Sequence, residues 1–155
     1  MKKTIMMMTL FVSVVLTSCG GGSSEDTNTD ANSSNKSYEM VFDVPSLIDK
    51  NVDEIVQILG KPEYDDEPTE LQIKSGIVEW EKSFQKDGYE LLVTYNAKTR
   101  KVIDFFVPTN SSTGMTDNID ELIQVSNVKN NTSLKVEPVK TLKNPKEFTG
   151  VRISK

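Results

Sequence analysis

Cys19 is the only cysteine in the 155-residue sequence, and there is no histidine. The chain therefore lacks the side chain that most often serves as general base and as zinc ligand. No Gly-x-Ser-x-Gly, Ser-x-x-Lys or Walker-type loop is present to activate a hydroxyl or cradle phosphate. Asp65, Asp66 and Glu67, with Glu70, form the one acidic run dense enough for a hard cation, which takes several carboxylate and carbonyl oxygens. The spacing fits no EF-hand loop and Pro68 interrupts it, so a solvated loop ahead of a helix is the simpler reading. No metal and no cofactor is assigned, and the chain is read as a non-enzyme, with a small hydrolase of no readable motif behind that reading.

Chemistry at Cys19 has a better-defined context. Lys2 and Lys3 precede an almost wholly apolar run, residues 5–16, followed by Leu16-Thr17-Ser18-Cys19-Gly20. The run is shorter than the roughly 20 apolar residues a bilayer span needs, and has the length of a signal-peptide core. An aliphatic residue, two small residues and Cys resemble the lipobox of bacterial lipoproteins. The resemblance implies a diacylglycerol thioether on Cys19, cleavage just before it, and a signal peptide over residues 1–18. It implies localisation as a lipid-anchored protein of the bacterial envelope, with the outer membrane or cell surface favoured over the periplasmic face of the inner membrane. A diacylglycerol supplies two chains, enough for stable anchoring where one is marginal.

Residues 19–37 then carry Gly, Ser, Asn, Asp and Thr with a single Ala. Such a segment cannot bury enough surface to offset its ordering entropy and is expected to be a disordered tether, reaching about 20–25 Å. Its Gly-rich then acidic order looks like the post-lipobox segments of Bacteroidetes lipoproteins. Residues 38–155 have the length of one domain. Within it, residues 39–121 hold 18 acidic and 8 basic residues, a net of −10, whereas residues 129–155 hold 7 basic and 2 acidic, a net of +5. An acidic body with a basic tail is not the charge pattern of a nucleic-acid binder.

The elements that must position any site are legible in part. Residues 38–44 read as a short edge strand or an extended entry bounded by Pro45. Asn51 and Glu54 have the spacing of a capping box, Val52, Ile55, Val56 and Leu59 fall on one helical face, and Gly60 then Pro62 end the helix. A second short helix is expected over 68–76. After Gly76 the period changes to two. Residues 77–84, 89–95 and 101–107 read as three strands joined by Lys86-Asp87-Gly88 and by the 96–100 turn, an antiparallel meander. Residues 118–125 read as another helix, and 134–139 and 150–154 as two weaker strands. The expected class is α+β, an antiparallel sheet of about five strands with two or three helices packed on one face.

Residues 52–62, Val-Asp-Glu-Ile-Val-Gln-Ile-Leu-Gly-Lys-Pro, followed by an aromatic meander, resemble small lipoproteins of the SmpA/OmlA type and beta-lactamase-inhibitor-like modules. That resemblance spans residues 52–107 and implies protein–protein contact as the function. The residues offer a matching candidate. Phe105 and Phe106 are adjacent, so strand alternation sends them to opposite faces. If one face meets the helices, the other Phe lies on the second face, with Leu92 and Val102 expected beside it. That would form an apolar patch of the kind that marks a contact site, unless the C-terminal strands or the 108–116 loop cover it. The leading expectation is thus a protein-binding or scaffolding module whose partner is another envelope protein. The alternative is a basic-patch binder of anionic lipid or polysaccharide through Lys135, Lys140, Lys143, Lys146, Arg152 and Lys155.

Overall fold

The computed structural model describes residues 37–155. Cys19, the lipobox and nearly all of the expected tether lie outside the described residues. In chain order the elements are α1 (Val44–Leu47), α2 (Val52–Leu59), α3 (Glu70–Lys74), β1 (Glu79–Lys86), β2 (Tyr89–Asn96), β3 (Val102–Pro108), α4 (Asp120–Val125), β4 (Lys135–Lys140) and β5 (Phe148–Ser154). The five strands form one antiparallel sheet in the order β1-β2-β3-β5-β4, so the class is α+β.

Local chemistry accounts for the first half. Asn51 Oδ1 accepts from the backbone N–H of Asp53 at 2.9 Å and Glu54 at 3.0 Å, and Glu54 Oε2 accepts from Asn51 N–H at 2.8 Å, a reciprocal capping box. Gly60 closes α2 at φ 89°, a conformation that favours glycine. Asp87 and Gly88, at φ 50° and 80°, make the two-residue turn between β1 and β2. Of the two expectations for the entry segment, the structure shows the extended entry and not the edge strand. It stays extended and hands the N–H groups of Val41 and Phe42 to the single carbonyl of Val125, at 2.9 and 2.8 Å. Pro45 opens α1 instead of ending a strand, because a residue without an N–H costs nothing in the first turn of a helix.

The second half depends on contacts distant in sequence. β4 and β5 form a hairpin, and β5 inserts between β4 and β3, pairing Phe105 with Ile153 and Val107 with Val151. The core joins Val44, Leu47 and Ile55 from α1 and α2, and Leu122 and Val125 from α4, to strand residues of one parity, among them Leu91, Val93, Phe105, Val107 and Ile153. Both sheet edges carry a block. The 62–68 segment bridges β1 at Tyr64 and Ser83, and β4 contains Pro138 among Lys135, Glu137 and Lys140.

The described residues contain their own core, so the chain from Ser37 onward is expected to unfold in one cooperative transition. Reductant should leave its melting temperature unchanged, since the only cysteine is Cys19. Non-coincident circular dichroism and fluorescence transitions would contradict this.

Candidate functional site

The sheet parity opposite the core carries Glu81, Ser83, Glu90, Leu92, Thr94, Asp104, Phe106 and Arg152, and none of these belongs to the core cluster. Leu92 and Phe106 are direct cross-strand partners, and Phe106 in turn pairs with Arg152. Both apolar side chains are half-buried. The Phe106 ring extends over Gly150 of β5. A Cβ built on Gly150 would sit 2.5 Å from Phe106 Cζ and 2.5 Å from the Val107 carbonyl oxygen. Any side chain at 150 would collide with the Phe106 ring and with the β3 backbone.

Polar groups surround this pair. Ser83 Oγ donates to Glu90 Oε1 at 2.5 Å, and Arg152 Nε stands 3.6 Å from Asp104 Oδ2. Burial, with Glu90 and Asp104 as like charges, pushes the Glu81 carboxyl upward from its ordinary value. The arrangement is an aromatic–aliphatic centre with a charged margin. It can desolvate against a complementary surface while its rim selects by charge.

Of the candidate residues, the structure brings Leu92 and Phe106 together. Phe105 is fully buried and belongs to the core. Val102 does not join Phe106. A register shift between Thr94 and Tyr95 pairs Thr94 with Asp104 but Tyr95 with Val102, leaving Ile103 as the extra residue. Strict alternation would have kept Val102 in line with Asp104 and Phe106. The bulge moves it to the face of Tyr95, where it packs against the core cluster.

The acidic run does not converge on a cation site. Asp65 Oδ1 and Glu67 Oε1 each lie 2.8 Å from the ammonium of Lys82, whose side chain is 2 % exposed. Glu67 Oε2 accepts from Arg100 Nη1 at 2.6 Å and from the Tyr95 hydroxyl at 3.0 Å. The other end of the guanidinium pairs with Asp53 at 2.5 Å, and its Cζ stands 4.9 Å from the Tyr95 ring centroid. Glu70 instead pairs with Lys74 along α3. Hydrogen bonding from Arg100 outweighs burial and holds the Glu67 carboxyl down at about 2. Burial and the bond to Glu67 push the Tyr95 hydroxyl up to about 12. Burial opposes the charge on Lys82, yet its bonds to Asp65 and Glu67 leave the ammonium raised. The run thus uses the protein's own cations to fasten the 62–68 segment to the sheet. Among the described residues, no group of three or more His, Cys, Asp or Glu could hold a metal ion.

Lys82 and Arg100 were not singled out from sequence. The period-two pattern places Lys82 in register with Trp80 and Phe84, and that is the signal the sequence offers for its burial. Trp80 itself is half-buried, and its indole N–H donates to the Asp66 carbonyl at 2.9 Å. It borders a shallow depression of about 510 Å³ with Tyr64, Glu79, Glu81 and Thr94.

The basic residues separate into two groups. Lys135 pairs with Glu137 at 2.9 Å, Arg152 with Asp104, and Lys155 with Asp49. Lys140, Lys143 and Lys146 have no ion pair among the described residues and flank the β4–β5 turn. Among the described residues no helix is long and apolar enough to cross a membrane. No family model, curated protein or solved structure matches the chain.

Proposed function

We propose that this chain is a lipid-anchored envelope lipoprotein, held through Cys19 and a tether over residues 19–37, that acts as a protein-binding module. The observation that carries the binding reading is the Leu92–Phe106 pair, half-buried on the sheet parity that contributes nothing to the core cluster. A one-layer sheet face with an aromatic centre and a rim of Glu81, Glu90, Asp104 and Arg152 supports contact with another envelope protein. Aromatic anchors dominate such interfaces, each worth about 2 kcal/mol or more at a true hot spot. The sequence supports a non-catalytic role, with no histidine and the one thiol inside the lipobox motif.

Two experiments test the two halves. Replacing Cys19 with Ser should abolish incorporation of a fatty-acid probe and release the protein from the membrane fraction. Equal membrane retention of the Cys19→Ser form would sink the anchor. For the face, a photoreactive residue at position 92 should give a discrete adduct in intact envelopes. One at position 98, in the turn between β2 and β3, should give none. Phe106→Ala should weaken formation of the position-92 adduct at least tenfold. An adduct unaffected by that substitution would place the contact elsewhere.

A further inference from the structure

We propose that the β4–β5 turn is a docking element for anionic membrane. Leu142 enters the lipid interface while Lys140, Lys143 and Lys146 meet lipid phosphates. Leu142 is fully exposed, at 105 %, against 74 % for Leu71, the next most exposed large apolar side chain. It is also presented rigidly. Thr141 Oγ1 donates to the Asn144 carbonyl at 2.7 Å, Asn144 N–H donates back to Thr141 Oγ1 at 3.0 Å, and Thr141 N–H reaches the Glu147 carbonyl at 2.9 Å. Leu142 and Lys143 therefore span the apex between two fastened residues, and little ordering remains to be done on contact. Glu147, the acid on this turn, lines a separate depression with Ser111, Thr116 and Asp117 of the segment before α4.

Placement in the fold supports the same occupant. Strand register puts the β1–β2 turn, Pro108 of β3 and Phe148 of β5 at one end of the sheet, which is the end bearing the 141–147 apex. The chain enters the domain at that end too, where Lys86 Nζ donates to the Val41 carbonyl at 3.1 Å and Tyr38 N–H donates to Gln124 Oε1 at 3.2 Å. The tether therefore joins the domain at the end of the sheet that bears this apex, which leaves the apex within reach of a surface holding the tether. Charge adds a further attraction. Within the segment 129–155, net +5, Lys140, Lys143 and Lys146 are the residues at this apex and have no ion pair among the described residues, so they are available to an anionic surface. A basic residue near an anionic bilayer adds about fivefold to partition, and three about a hundredfold.

The test uses the chain from Gly20 to Lys155, which lacks both the apolar leader and the cysteine, so that no lipid contributes. It is sedimented with vesicles of phosphatidylcholine alone, and of equal parts phosphatidylcholine and phosphatidylglycerol, at low and high salt. Pelleting is expected only with the anionic vesicles at low salt. Joint replacement of Lys140, Lys143 and Lys146 by Gln should lower partition about a hundredfold. Leu142→Ser should lower it several-fold with all charges kept. Lys98→Gln, at the opposite end of the sheet, should change it less than twofold. All these side chains are exposed, and a thermal melt of each variant verifies the fold. Absence of pelleting, equal pelleting on neutral vesicles, or indifference to the triple substitution would overturn the proposal. Indifference to Leu142→Ser would overturn insertion. Retention on heparin without vesicle binding would reassign the apex to polysaccharide and overturn the membrane reading.

Discussion

Phe105→Ala is expected to destabilise the domain by about 3–5 kcal/mol, while Phe106→Ala, one residue away, costs about 1 kcal/mol. Phe105 is 0 % exposed and pairs across the sheet with Val93 and Ile153, themselves fully buried. Its truncation leaves a cavity that packed strands on both sides cannot collapse to fill. Phe106 is half-buried, and much of what its ring covers is the bare backbone of Gly150. Its loss uncovers surface without opening a void. For a domain of this size the first substitution should lower the melting temperature by roughly 10–20 °C and the second by only a few degrees. Chemical denaturation of both variants measures the difference directly. Equal and large losses would mean that both faces are interior. The binding surface would then have to be sought on the basic hairpin.

The second large effect is an asymmetry within the buried ion network. Glu67→Ala should cost about 2 kcal/mol, whereas Lys82→Met should cost about 1 kcal/mol or less. Removing Glu67 leaves the Lys82 ammonium with Asp65 alone, Arg100 with Asp53 alone, and the Tyr95 hydroxyl without its acceptor. Breaking a buried pair from one side costs about 3–5 kcal/mol, reduced here because the Glu67 side chain is 45 % exposed and water restores part of the lost solvation. Removing the ammonium strands no charge in the interior, because Asp65 and Glu67 can rehydrate and methionine keeps the buried stem. The same network sets an acid limb. The Glu67 carboxyl falls from its ordinary 4.5 to about 2 in the fold, so its contribution is complete above about pH 4.5 and is lost as pH falls through 2. Glu67→Gln should flatten the decline in urea midpoint between pH 4.5 and pH 2. An unchanged slope would show that other carboxylates control acid unfolding.

What the sequence made legible was local. The capping box at Asn51 and Glu54, the Asp87-Gly88 turn and the alternation through Tyr89, Leu91, Val93 and Tyr95 each specify geometry within a few residues, and α2 and the β1–β2 hairpin follow. The α+β class follows from the same signals. Pro45 marks the end of the extended entry but does not say whether that entry pairs as a strand, and its partner, the carbonyl of Val125, lies eighty residues away. Val102 was misplaced because a bulge leaves no compositional mark, so parity counted through it inverts. Lys82 was overlooked because a charge on an apolar parity is legible only when its counter-charges are in view, and Asp65 and Glu67 lie on another segment. The insertion of β5 between β3 and β4 has no local signal at all. The Leu92–Phe106 pair was half legible, since adjacent phenylalanines must diverge, but nothing local said which of the two would face inward.

Pro138 and the Tyr64–Ser83 bridge have a consequence for how copies of this domain behave when crowded. A sheet grows by adding a strand to a free edge, and that is how densely packed β-proteins come to zip together. Here one edge strand lacks a backbone donor and is lined with lysine, and the other already has a segment bridged against it. Neighbouring copies find little backbone to pair with, even at high local concentration. The same obstruction bears on recognition. An extended peptide cannot readily be taken up as a sixth strand, so a partner of the proposed kind would be selected by side-chain shape and charge and not by main-chain hydrogen bonding.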